Sequence, residues 1–159
     1  MQADNSAIAA MNRAADLGEL GRRAAWALRH VEAEAKDDVE GTLATLGPDP
    51  VYELWPLGLQ IRGLDQLRRY YKHFFEVARP HIADYVVHSL CYGETSMITE
   101  ITLTWRYDDG STRNFRNATV LVYGPDGADG LAGERMYAEP EFFRLLMGPV
   151  LAELAPVAA

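Results

Sequence analysis

The chain has 159 residues, 15 Lys and Arg against 23 Asp and Glu for a net charge of −8, and a single cysteine, Cys91. That acidic excess repels nucleic-acid phosphates, the lone thiol closes no intramolecular disulfide and forms no CxxC pair, and 48% apolar residues is globular rather than disordered composition. One domain burying about 68–70% of its unfolded surface is the expected size. No apolar run approaches the roughly 18 residues of a membrane span, no basic leader precedes an apolar core, and a reducing, cytoplasmic setting is the expectation.

Residues 1–19, alanine-rich around Gly18, read as an N-terminal extension, and residues 20–159 as the domain. From Leu20 the apolar positions Ala24, Ala27, Leu28 and Val31 recur at helical intervals, and a second stripe, Val39, Leu43 and Leu46, follows Asp37 and Asp38. Two helices with a bend result. Gly47-Pro48-Asp49-Pro50 ends the second and opens VYEL, the turn Trp55-Pro56-Leu57-Gly58, and LQIR, a short hairpin. Leu64, Leu67, Tyr71, Phe74 and Ala78 share one side of a third helix that Pro80 stops, because proline lacks an N–H and crowds the preceding turn. The period then falls from about 3.6 to 2. ADYVVHSLCY, MITEITLTWRY, TRNFRNATVLVY and LAGERMYAE, separated by turn residues that include two Asp-Gly pairs, form four meandering antiparallel strands. Pro140 opens a closing helix with Phe142, Phe143, Leu146, Val150 and Leu154 on its apolar side.

This order gives an α+β fold, a curved antiparallel sheet wrapped around helices that cover one face and enclose a pocket. In MITEITLTW the apolar face carries Thr99, Ile101, Leu103 and Trp105. In NFRNATV alternation alone does not choose between Phe115/Asn117/Thr119 and Asn114/Arg116/Ala118.

With this element order, the segments VYELWPLGLQIRGLDQLRRYY and DGLAGERMYAEPEFF resemble the nuclear transport factor 2-like superfamily, which includes SnoaL-like polyketide cyclases, ketosteroid isomerases and limonene-epoxide hydrolases. The resemblance spans about residues 20–156. It implies a cone-shaped α+β barrel with a deep pocket and a homodimer paired through the outer sheet face, but no particular reaction. Against the Asp–Arg–Asp, Tyr and Asn set of the hydrolases, only Tyr52 survives: Leu54 stands for the Asn, Ile101 and Leu103 for the Arg and first Asp, and Met136 for the other Asp. Aliphatic and thioether groups accept no proton and polarise no epoxide, so epoxide hydrolysis is disfavoured. The isomerase base position, just before a Pro-x-Gly turn, holds Trp55, with Glu53 two residues earlier as a substitute carboxylate.

The same alignment turns Phe115, Asn117, Glu134, Met136 and Ala138 inward. The candidate catalytic groups are therefore Tyr52, Asn117, Glu134 and His88, and the expected ligand contacts are Leu54, Trp55, Phe74, Ile101, Leu103, Trp105, Phe115 and Met136. Each polar candidate has a structural counterpart: a core tyrosine, a satisfied amide, an arginine ion pair for Glu134, and a structural strand histidine for His88. His30, Glu34 and Asp38 recur at i, i+4 and i+8, read as a solvated ionic face rather than a metal site, since zinc needs three or four converging ligands and a second histidine at helical spacing is missing. No GxSxG elbow or phosphate-binding glycine loop occurs, and no cofactor is expected. Two functions follow: a cofactor-independent isomerase, cyclase or lyase acting on a small apolar oxygenated molecule, or a non-catalytic homodimeric binding or structural module.

Overall fold

Ala24, Ala27 and Leu28 form a buried stripe along helix α1, Glu19–Ala35, which packs across the strands Ser96–Arg106 and Thr112–Tyr123. The structure is a computed structural model in which residues 18–125 and 129–157 are described; up to residue 17, the expected N-terminal extension lies outside them. Helix α2 is short, Val39–Leu43, and starts where the Asp38 carboxylate accepts the Gly41 N–H at 2.9 Å, an N-cap that satisfies an otherwise orphaned donor. Leu46, expected on that helix, instead opens strand β1, Leu46–Trp55. Pro48 and Pro50 explain the change, since their fixed φ suits extended backbone and resists continuation of a helix.

Strand β2, Leu59–Arg62, folds back on β1, and helix α3, Leu64–His73, follows. The expected continuous helix to Ala78 gives way to one π-helical stretch, Phe74–Ala78, and a 3-10 turn at Arg79–His81 around Pro80. The long strands β3, Ile82–Tyr92, β4, Ser96–Arg106, and β5, Thr112–Tyr123, then meander into β6, Leu131–Tyr137. Helix α4, Pro140–Met147, ends at Gly148-Pro149, and a 3-10 turn, Gly148–Glu153, replaces the expected last helical turns before β7, Ala155–Pro156.

The curved seven-stranded sheet has the order β3-β4-β5-β6-β1-β2-β7. Its long meander is antiparallel, as expected, while β1 joins β6 in parallel, so the sheet is mixed. Pairing of β4 with β5 is unbroken from Ser96↔Val122 to Arg106↔Thr112. Directly opposed residues point to the same side, which settles the open choice on β5: Phe115, Asn117 and Thr119 share the helix-covered face with Leu103, Ile101 and Thr99. Tyr52, Leu54, Glu134 and Met136 continue that inner face on β1 and β6. Among the described residues no helix is long and apolar enough to cross a membrane.

Candidate functional site

The inner face is mostly apolar, and at one place α1, β1, α3 and β6 each contribute a polar side chain. His30 occupies the buried side of α1, three residues after Ala27. Its Nε2 lies 3.0 Å from the Tyr71 hydroxyl, 3.2 Å from the Tyr52 hydroxyl and 3.2 Å from Glu134 Oε1. The two tyrosine oxygens are 2.6 Å apart. Glu34, one turn along α1, brings Oε1 to 3.5 Å from the same Nε2 and is the one acid of the group with an appreciably exposed side chain, 28%.

The opposite edge of the imidazole fixes its tautomer. Thr45 Oγ1 donates its only proton to the Thr42 carbonyl at 2.6 Å, so at 2.6 Å from His30 Nδ1 it must accept an N–H. Nε2 is thereby the variable nitrogen, aimed at the carboxylates. The Tyr52 hydroxyl donates to Glu134, leaving its oxygen to accept from Tyr71. Burial holds both phenols protonated, with pKa values well above the usual tyrosine range.

Electrostatically the group is dominated by its acids. Burial opposes protonation of His30, yet the Glu34 and Glu134 carboxylates outweigh it and raise its pKa to about 10. Burial likewise raises Glu134, with His30 pulling the other way. Both shifts have one cause: two acids face one imidazole in a poorly hydrated interior, so the cluster retains protons. The Arg79 guanidinium near α1 is taken up by the Glu34 backbone carbonyl and by the Asp37 carboxylate at 2.8 Å, not by the clustered acids.

Glycine brings β6 close enough to set this geometry. Gly133 has φ 142°, a conformation that L side chains rarely adopt, and a Cβ there would run into the Val51 backbone. This close approach immediately precedes Glu134, which pairs with Tyr52 across the parallel strands.

Residues 27–128, well over half of the chain, match the SnoaL-like domain. The chain belongs to the SnoaL-like domain family. Solved structures with the same fold include a nuclear transport factor 2-like protein of unknown function from Burkholderia pseudomallei K96243, 16% identical, covering 80% of this chain and 98% of that one at a TM-score of 0.59. A candidate SnoaL-like polyketide cyclase from Jannaschia sp. CCS1 is 13% identical, with 80% and 93% covered and a TM-score of 0.59. A protein of unknown function from Mycobacterium tuberculosis is 15% identical, with 87% and 92% covered and a TM-score of 0.54. Comparison with curated proteins gives no match.

Within this SnoaL-like chain, Tyr52 and Glu134 meet, but Asn117 and His88 do not join them. Asn117 faces inward four residues along β5 from Leu121, the cross-strand neighbour of Glu134, which places it about 13 Å away along the strand. Its Oδ1 is buried without a hydrogen-bond partner. His88 sits at a register shift between Val87 and Ser89, where β3 changes the face it presents. It is exposed and lies 2.8 Å from Thr102 Oγ1 on the outer face. Trp55 and Glu53 also alternate away from the Tyr52 side; Trp55 Nε1 donates to Glu53 at 3.0 Å. Asp38, capping α2, is not part of the cluster.

The remaining expected contacts divide by depth. Leu54, Leu103, Trp105, Phe115 and Met136 are buried on the inner face, and Phe74 stacks on Tyr70 at 5.9 Å. Tyr52, Leu54 and Phe115 have 0% exposure, so no water-sized space touches them from outside or within. Ile101, Thr99 and Thr119 are half-buried, whereas Tyr85 and Val87, opposite Leu103 and Ile101, are exposed. The inner face thus opens toward β3 and closes toward Glu134. A hollow of about 370 Å³ lies against the outer face at Ser89, Ile98, Glu100, Arg116, Ala118 and Tyr137 and also touches Asn117.

Proposed function

We propose that the protein binds a small, largely apolar, oxygen-bearing molecule whose oxygen-bearing end meets Glu34, the partly exposed acid joined to the buried His30–Tyr52–Tyr71–Glu134 group, and that this group exchanges a proton with the ligand through Glu34, with the half-buried mouth of Ile101, Thr99, Thr119 and Asn117 taking the apolar body. The observation that carries this reading is the meeting of Tyr52, Tyr71, Glu134 and Glu34 around the His30 Nε2 in a mostly apolar interior. A polar network there is costly unless fully paired, and groups of this composition donate and accept protons in isomerisation, cyclisation and elimination. The unpartnered Asn117 oxygen would accept a hydroxyl or amine proton of the ligand, orienting its apolar body along the strand.

Mass spectrometry of molecules retained by the purified protein tests the mouth. The wild type is expected to retain an apolar oxygenated compound that Ile101→Trp loses, since an indole fills the half-buried space. Equal retention by the two proteins, or none by either, would overturn the ligand-binding reading. A second reading, a non-catalytic module, is favoured by the closed surroundings of Tyr52 and Leu54 and the internal pairing of the cluster. Conversion of the retained compound by wild type but not by Glu134→Gln separates the two.

The outer face supports a homodimer. Val86, Ile98 and Tyr137 are exposed there beside the self-complementary pair Arg116–Glu100, 2.8 Å apart. Sedimentation is expected to show a dimer at micromolar concentration and a monomer for Ile98→Asp. A wild-type monomer would reject the assembly.

A further inference from the structure

We propose that His30, Glu34 and Glu134 form a binding site for a divalent first-row metal ion of the zinc type. This inference shares side chains with the acid–base reading but does not need turnover to be true. Sequence spacing groups His30 with Glu34 and Asp38 as a solvated face; in the structure Asp38 caps the next helix and the third ligand, Glu134, arrives across the fold from β6, 104 residues from His30.

Three observations support the site. The first is distance: the three donor atoms lie within 4.8 Å of one another, with 3.2 and 3.5 Å from Nε2 to the two carboxylate oxygens. Donors held at about 2.0–2.2 Å by one ion stand about 3.0–3.5 Å apart, so small adjustments would admit it. The second is orientation. Metal-binding histidines usually donate their other ring N–H to a fixed acceptor, and His30 Nδ1 has one in Thr45 Oγ1, itself locked by the Thr42 carbonyl. The third is charge. An ion would take the place of the Nε2 proton, leaving a neutral imidazole and two carboxylates whose −2 a divalent ion cancels, and among the described residues neither carboxylate has an arginine or lysine partner within ion-pair distance. Glu34, partly exposed, offers the route of entry. The Tyr52 and Tyr71 hydroxyls, 3.2 and 3.0 Å from Nε2, stand where a fourth ligand or an ion-bound oxygen would be held.

Calorimetric titration of chelator-stripped protein with Zn²⁺, and then with Co²⁺ monitored by its visible absorption, tests the proposal without any substrate. One saturable ion per chain, a higher melting temperature and the spectrum of a low-symmetry cobalt site are expected. Glu34→Ala lies at the rim and should fold, verified by circular dichroism; it is expected to weaken binding at least tenfold. Thr45→Val should weaken it by about 10–100-fold through the lost acceptor. No saturable binding up to millimolar Zn²⁺ overturns the site. So does binding that survives Glu34→Ala but disappears in His88→Ala/Cys91→Ser, which would place the ion on the exposed β3 surface. Zinc binding without ligand conversion would retain the metal site and reject the catalytic reading; conversion by chelator-stripped protein without zinc binding would do the reverse.

Discussion

Replacing His30 by alanine is expected to lower the unfolding free energy by about 3–5 kcal/mol, the usual consequence of removing one partner from a buried charge pair. Glu34 and Glu134 would then face each other without the imidazole, and Thr45 Oγ1 would lose its donor. The larger part of the loss comes from the buried acid left behind rather than from the missing contacts. His30→Met combined with Glu134→Leu should therefore be more stable than His30→Ala, because charge and partner leave together and apolar volume is retained. Urea-unfolding midpoints and slopes of the variants measure this order. A loss below about 1 kcal/mol for His30→Ala, the range of an exposed pair, would refute a tightly buried cluster.

Gly133→Ala is expected to be as damaging by a different route. A methyl group at this position meets the Val51 backbone, which cannot swing aside as the end of a flexible side chain can. Backbone strain at φ 142° adds to the collision. Together these cost on the order of 4 kcal/mol. The strain falls beside Glu134, so its first consequence is separation of β1 from β6 and loss of the Tyr52–Glu134 register. Gly110→Ala, also at positive φ but with open space around its would-be Cβ, is the comparison, expected to cost only about 1 kcal/mol. Similar melting temperatures for the two variants would show that close strand approach does not control this part of the sheet.

The sequence made the elements legible where one pattern dominated. Alternation in β4 identified Ile101, Leu103 and Trp105 as one face, and glycine turns marked the meander. Parity failed where the backbone breaks its own period: the irregularity at His88 reverses the face reached by counting along β3. Half of the polar group was visible, since family alignment aimed Tyr52 and Glu134 inward. The i, i+4, i+8 spacing groups His30 with Glu34 and Asp38 on a solvated face, but α1 ends at Ala35 and Asp38 belongs to the next cap. Its spacing from Ala24 and Ala27 was the signal that it is buried. Helical spacing turns the Tyr71 ring inward, but its hydroxyl meets a histidine from another helix, which one-dimensional spacing does not encode. Nothing local marked Thr45 as the group that fixes the tautomer.

The parallel pairing of β1 with β6 also constrains how the molecule forms. Val51 must wait for Gly133 before its side of the sheet is complete, whereas β3, β4 and β5 assemble from sequential hairpins. Non-local pairings require loop closure before contacts repay its entropic cost, which slows folding. The meander should consequently organise first, and the mixed sheet should be completed last, when β1 docks on β6. During synthesis, the N-terminal strand must remain unpaired on that edge until nearly the whole domain has left the ribosome.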